Sequence, residues 1–186
     1  MTTLDYVAVL GRWYVALALL TAAWGKSSGF DAFRRGLSEA FPALGRADAA
    51  LAFAVVSAEW AIAVALLAGG ALATLGAIAG LAMFVLFTIV ISASILSGRA
   101  IVCSCFGASG RRMGGLDVVR NLVLIVAVAL VLLRGPQALP WPLVLLRGPQ
   151  ALPWPLEAIL AGLAVVGVVA TVWLRDLAWL LRAKVG

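Results

Sequence analysis

"ALATLGAIAGLAMFVLFTIVISASIL", residues 71–96, carries no charged side chain. A helix needs roughly 20 apolar residues to cross about 30 Å of hydrocarbon, and this run has that length. It is apolar on all faces, which fits lipid exposure better than the single stripe of an amphipathic soluble helix. Upstream, Gly69-Gly70 supplies a short turn out of a second apolar run at 49–68. A third lies at 6–24, interrupted only by Arg12, and two more follow at 116–133 and 156–174. The chain is 65% hydrophobic and 12% charged, with a mean hydropathy of +1.13. One soluble core of 186 residues could not hide so much apolar surface. The expected fold is therefore all-α: an integral membrane bundle with a four-helix core and a fifth, C-terminal transmembrane helix.

The N-terminal stretch lacks the basic n-region of a signal peptide, and its apolar run is longer than a usual h-region. It is read as the first membrane helix. The net charge of +6 sits mainly on Arg and Lys between the spans. That pattern speaks to membrane orientation and anionic lipid, and no basic stripe on a polar domain suggests nucleic acid. In the connector at 25–48, Phe30, Phe33, Leu37, Phe41 and Leu44 recur at near-helical spacing while Arg34, Arg35 and Glu39 point elsewhere. This predicts a short amphipathic helix at the membrane interface. The fifth run ends in "LRDLAWLLRAKVG", whose Trp and basic residues resemble an interfacial anchor.

"LVLLRGPQALPWP" occurs at 130–142 and again, identically, at 143–155. Two identical Pro-rich copies do not make a solenoid. They read as a tandem duplication that lengthened the connector between the fourth and fifth spans. The expected organisation is a four-helix domain over 1–134, the duplicated connector over 130–155, and an extra span with a basic tail over 156–186.

Chemistry concentrates at few positions. Cys103 and Cys105, the two cysteines of the chain, flank Ser104, and the chain has no histidine. In extended backbone, i and i+2 side chains share a face, whereas on a helix they diverge. The Gly, Ser and Arg around them argue for a loop. A disulfide across one residue departs from relaxed geometry, and strained disulfides exchange readily. Arg99, Arg111 and Arg112 nearby would favour a thiolate. Two inert small residues at a helix boundary remain the plain alternative. Two thiolates without imidazole fall short of a closed zinc site, leaving two-coordinate Cu(I), or zinc shared across a dimer, as the metal readings.

Glu59 lies mid-span, where an ionised carboxylate is costly and usually faces the bundle interior. Its possible partners are Arg12, Lys26 and Arg120. The functional reading is a proton-handling group or part of a polar pocket; the plain one is a protonated or structurally paired acid. Asp117, Arg120 and Asn121 share one face at the start of the fourth span.

The order Arg12, Lys26, Glu59, Cys103-Ser104-Cys105-Phe106-Gly107, Arg120-Asn121 resembles the methylamine-utilisation protein MauE family, within the wider DoxX-like group of small membrane proteins. The resemblance covers about residues 5–134, and C-x-C-F-G is its most specific element. Members usually carry Gly between the cysteines, where this chain has Ser104. The resemblance implies a four-helix membrane bundle linked to disulfide chemistry in maturing a partner protein. The expected partners, beside the lipid bilayer, are a thioredoxin-like protein and a disulfide-containing client, as in methylamine dehydrogenase maturation. Cys103 and Cys105 would exchange thiols, with Lys26, Glu59, Phe106, Gly107, Arg120 and Asn121 in pocket or orienting roles. No cofactor is required by the sequence; a quinone enters only by analogy with vitamin-K-epoxide-reductase-like bundles. The rival function is a non-catalytic membrane scaffold or accessory subunit of a respiratory or secretory complex.

With five spans, Lys26, Arg34, Arg35, Arg46, Arg99, Arg111, Arg112, Arg175, Arg182 and Lys184 share one side, against Arg134 and Arg147 on the other. The positive-inside rule places the cysteine loop in the cytoplasm of a cell-membrane protein. Disulfide delivery to an exported client would put it outside.

Overall fold

A backbone inside a bilayer must satisfy its own N–H and C=O groups, which a helix does within one segment. The structure, a computed structural model, describes residues 3–97, 115–134 and 154–183, apart from the side chains of residues 43, 44, 46, 134 and 172–183. They form α1 (Thr3–Ser28), α2 (Phe30–Ala40), a short 3-10 turn (Pro42–Ala47), α3 (Asp48–Ala68), α4 (Gly70–Leu96), α5 (Gly115–Arg134) and α6 (Trp154–Ala183). All of these α-helices except α2 are long and apolar enough to span a membrane.

Four of the spans close a ring: α1 packs on α3 and α5, and α4 packs on the same two. Val15, Leu19, Leu66, Phe84 and Val128 meet in its core. Large apolar side chains also point outward, with Leu75, Leu86, Ile89, Val126 and Val166 each more than half exposed. In water that surface would drive aggregation; in lipid it is the matching solvent. The protein is thus an all-α membrane bundle, as its hydropathy requires.

Without a hydrophobic drive between helices in lipid, close packing depends on small residues at the contacts. Gly69 and Gly70 turn the chain between α3 and α4 with φ of 80° and 56°, a region glycine enters without a Cβ clash. Beyond the turn, Gly76 and Gly80 repeat at i, i+4 along α4 and let α3 approach. A Cβ on Gly76 would stand 3.0 Å from Ala65 Cβ and 3.2 Å from the Leu66 nitrogen, and one on Gly80 would stand 3.3 Å from Ile62 Cγ2. Gly11 plays the same part between α1 and α5, where a Cβ would meet the Ala127 carbonyl at 3.3 Å.

α6 lies outside the ring, against α1. Val9 and Leu160 are buried together, and the Tyr14 ring covers Gly167 so closely that a Cβ there would be 3.3 Å away. The helix runs past the expected end at 174 and continues to Ala183. Nothing between these positions breaks a helix, and Pro155 falls in the first turn, where its missing N–H costs no bond.

The Gly76 contact is testable. Gly76→Leu should destabilise the bundle by about 1–3 kcal/mol, because α3 backbone and Ala65 occupy the space. Gly162→Ala, where a Cβ meets nothing within 4 Å, should leave stability unchanged or raised. Thermal unfolding in detergent, followed by circular dichroism, distinguishes the two.

Candidate functional site

Helix pairing fixes which ends of the spans lie together. Arg12 bonds to Leu66 and Lys26 to Glu59, while Gly11 meets Ala127 and Lys26 lies within reach of Arg120's charge, so α1 runs antiparallel to both α3 and α5. Gly76 and Gly80 against Leu66 and Ile62 make α3 and α4 antiparallel as well. The C-terminal ends of α1 and α4 therefore share one end of the bundle with the N-terminal ends of α3 and α5. The segment with Cys103, Cys105, Phe106 and Gly107 joins α4 to α5 at this end. These four residues lie outside the described residues.

The polar interior of the bundle gathers at the same end. Lys26 Nζ donates to Glu59 Oε1 at 2.5 Å, and the two side chains are 2% and 1% exposed. Of the three candidate partners of Glu59, Lys26 is the one that reaches it. Lys26 stands in the last turn of α1, where a lysine would ordinarily extend to water. Helical side chains lean toward their own N-terminus, and this one follows that direction back into the bundle. Asp48 starts α3 roughly 16 Å along the axis before Glu59, so the pair meets well inside the span.

Aromatic rings line the ammonium. The ring centres of Phe33 on α2 and Phe87 on α4 lie 5.6 Å and 5.9 Å from Lys26 Nζ, within the range for cation–π attraction. Trp60 Nε1 donates to Ser27 Oγ at 3.2 Å beside them. From α5, Arg120 is close enough for its charge to bear on Lys26, and it lies 3.9 Å from Asp117. Asp117, Asn121 and Ser94 are buried at this end too. The structure thus brings Lys26, Glu59, Arg120 and Asn121 to one end of the bundle.

One valence of the pair is unmet. Glu59 Oε2 is buried without a hydrogen-bond partner among the described residues. A buried carboxylate oxygen left bare carries its full desolvation cost, so the site is polar chemistry held in an apolar span.

α2 closes over the pair. Phe33 is buried against Ala52 and Val56 of α3, with Phe30, Leu37 and Trp60 around them. On its outer side Arg34 Nε donates to Asp48 Oδ2 at 2.8 Å, while Asp48 Oδ1 accepts the Ala49 N–H at 2.7 Å. The bond to Asp48 raises the Arg34 guanidinium above its ordinary value, so it stays charged at every working pH.

Arg12 forms a separate polar contact. It donates to the Leu66 carbonyl and to Glu157 Oε1, each at 3.2 Å, which ties α1 to α3 and to α6. Sequence reasoning gave Glu157 no role, although an acid in the first turn of an apolar span was a visible signal. Phe87 offered no signal, because it is one apolar residue in an apolar run.

Breaking a buried ion pair from one side leaves an uncompensated charge. Lys26→Met should therefore destabilise the protein by about 3–5 kcal/mol, and the double change Lys26→Met with Glu59→Leu should recover most of it. Detergent-denaturant titration of the two variants checks this. Equal losses in both would mean the pair does not act as a unit.

Two independent comparisons are silent: no curated protein and no solved structure matches the chain. A family match does cover most of it. Residues 4–134, from the start of α1 to the end of α5, match the family described as Methylamine utilisation protein MauE. The match spans the four-helix ring and the C-x-C-F-G segment and stops before α6, and on it the chain belongs to the MauE family.

Proposed function

We propose that this MauE-family membrane protein is a thiol–disulfide exchange module, with Cys103 and Cys105 as the exchanging pair. The observation that carries the reading is the placement of buried charge. Lys26 and Glu59 meet inside the bundle at the end where α4 and α5 are joined by the only cysteine-bearing segment of the chain. Arg99, Arg111 and Arg112 flank the cysteines in sequence and favour the thiolate, the species that attacks a disulfide.

In the forward direction one cysteine thiolate attacks a partner disulfide, forming a mixed disulfide and releasing one partner thiolate. The second cysteine thiolate then displaces the partner. The partner leaves as a dithiol, and Cys103 and Cys105 remain as the disulfide. Two electrons pass to the partner, and the two protons lost by the chain's thiols balance the two its thiols take up. The reverse sequence delivers a disulfide to the partner. A thioredoxin-like protein and a disulfide-containing client, as in methylamine dehydrogenase maturation, fit the two ends of this exchange. Lys26, Glu59, Arg120 and Asn121 supply the polar floor of the site, and Phe106 and Gly107 complete the motif. The domain to which these roles belong is residues 1–134, with the duplicated connector at 130–155 and the region 156–186 as additions to it.

Differential alkylation in native membranes, with and without reductant, tests the pair. Cys103 and Cys105 should be protected before reduction and alkylated after it, and Cys103→Ser with Cys105→Ser should abolish client oxidation or reduction. Two thiols that alkylate fully without reductant, or a double variant with full client handling, would favour a scaffold instead. A membrane-impermeant label on Cys105 reads the direction of flow. Labelling from the oxidising side means disulfide delivery, and labelling from the cytosolic side means electron relay.

A further inference from the structure

Lys26 and Glu59 are dry for a reason that can be traced to one element. Lys26 is two residues from the end of α1, and the two rings near its ammonium come from α4 and α2. Phe87 belongs to a transmembrane helix and is fixed by the bundle. Phe33 belongs to α2, which is only Phe30–Ala40 and spans nothing.

The attachment of α2 is light. Its inner face buries one side chain fully, Phe33 against Ala52 and Val56, with Phe30, Leu37, Val55 and Trp60 only partly buried around it. Its outer contact is the Arg34–Asp48 pair, with Arg34 46% exposed, and exposed ion pairs contribute little. Both ends of the segment are broken. Gly29 separates α2 from α1 with non-helical φ and ψ of −118° and 39°. Gly45 interrupts the turn before α3 with φ of 50° and ψ of −120°, a conformation that suits glycine alone. Segments with few buried contacts and glycine at both ends open at low cost.

What lies beneath has a reason to meet water. Among the described residues Glu59 Oε2 has no hydrogen-bond partner, and Lys26 donates one of its three N–H groups to Glu59 Oε1. Closure leaves Glu59 Oε2 without a hydrogen bond, and opening would give it water.

We propose that Lys26 and Glu59 form a proton-exchange site whose contact with water is controlled by α2. One proton moving from Lys26 Nζ to Glu59 Oε1 converts the ion pair to a neutral amine and a neutral acid. With α2 closed that proton stays in the pair. With α2 raised, water removes it or supplies another to Glu59 Oε2. Among the described residues, Phe33 from α2 and Phe87 from α4 stand against the pair and Arg120 from α5 is near enough for its charge to bear on Lys26, while the buried Ser94 of α4 and Asp117 and Asn121 of α5 lie at the same end of the bundle. Arg34 and Asp48 sit on the outer side as the latch. The inference rests on the pair and its cover, and it stands whether or not Cys103 and Cys105 exchange disulfides.

A water-soluble carbodiimide with an amine nucleophile, applied to the full-length protein in liposomes, tests it. The reagent converts protonated carboxyls to amides, and mass spectrometry of the peptide containing Glu59 reads the yield. Glu39, exposed on α2, normalises the reagent at each pH. In the unaltered protein Glu59 should be modified slowly at about pH 8 and faster toward about pH 5. Arg34→Ala, which removes the exposed latch and spares the core, should raise the rate about two- to fivefold. Phe33→Ala should raise it further, with circular dichroism confirming the fold. Equal rates in the unaltered protein and Arg34→Ala, a rate that tracks Glu39 at every pH, or no modification of Glu59 in any of them would overturn the proposal.

Discussion

The salt bridge between Lys26 and Glu59 determines how this bundle is put together. A lysine and a glutamate are both expelled by hydrocarbon, so each must face inward, and they must face each other. That requirement sets the rotation of α1 and α3 about their axes and the register between them. The same rotation turns Val15, Leu19, Ile62 and Leu66 into the core. Once α1 and α3 are fixed, the glycines of α4 bring it against α3, and α5 closes the ring against α1 and α4. Burying two charges does not by itself make a protein more stable than a well-packed apolar contact would. What the pair supplies is uniqueness of arrangement, together with an ionisable centre in a place where lipid would otherwise allow none.

Arg12 does for the fifth span what Lys26 does for the ring. An arginine in the middle of α1 needs oxygen ligands, and it finds the Leu66 carbonyl in the ring and Glu157 on α6. The family match ends at residue 134, before α6 begins. The helix is nonetheless seated by specific contacts, with Glu157 at one level and Gly167 under the Tyr14 ring at another. The two polar contacts divide the work along α1. Arg12 anchors α6, and Lys26 joins α1 to α3 near the other end of α1.

Much of this was legible in the sequence, and the reasons are specific. Hydropathy reports which segments lipid accepts, so the five spans and the turn at Gly69-Gly70 could be read from residues 71–96 outward. The spacing of Phe30, Phe33 and Leu37 marked α2, and charge in apolar surroundings marked Arg12, Lys26 and Glu59. Hydropathy says nothing about which faces meet. It left Glu59 with three possible partners, gave no reason to single out Phe87, and did not reveal that Gly76 and Gly80 form the α3–α4 contact. It also ends the last span at 174, where Arg175 and Asp176 interrupt the apolar run, whereas backbone propensity carries α6 on to Ala183. The cysteine motif was legible as a family mark, and its surroundings lie outside the described residues.

The proposed thiol–disulfide function ties the buried charge of the bundle to Cys103 and Cys105. A redox titration of Cys103 and Cys105 in membranes, against defined ratios of reduced to oxidised glutathione, addresses it directly. One two-electron transition is expected in the unaltered protein, with a shifted midpoint in Glu59→Gln, since removing a buried charge at the end of the bundle where α4 and α5 are joined would alter the stability of the thiolates. Thiols that stay reduced across the whole range, or a midpoint indifferent to Glu59, would contradict it.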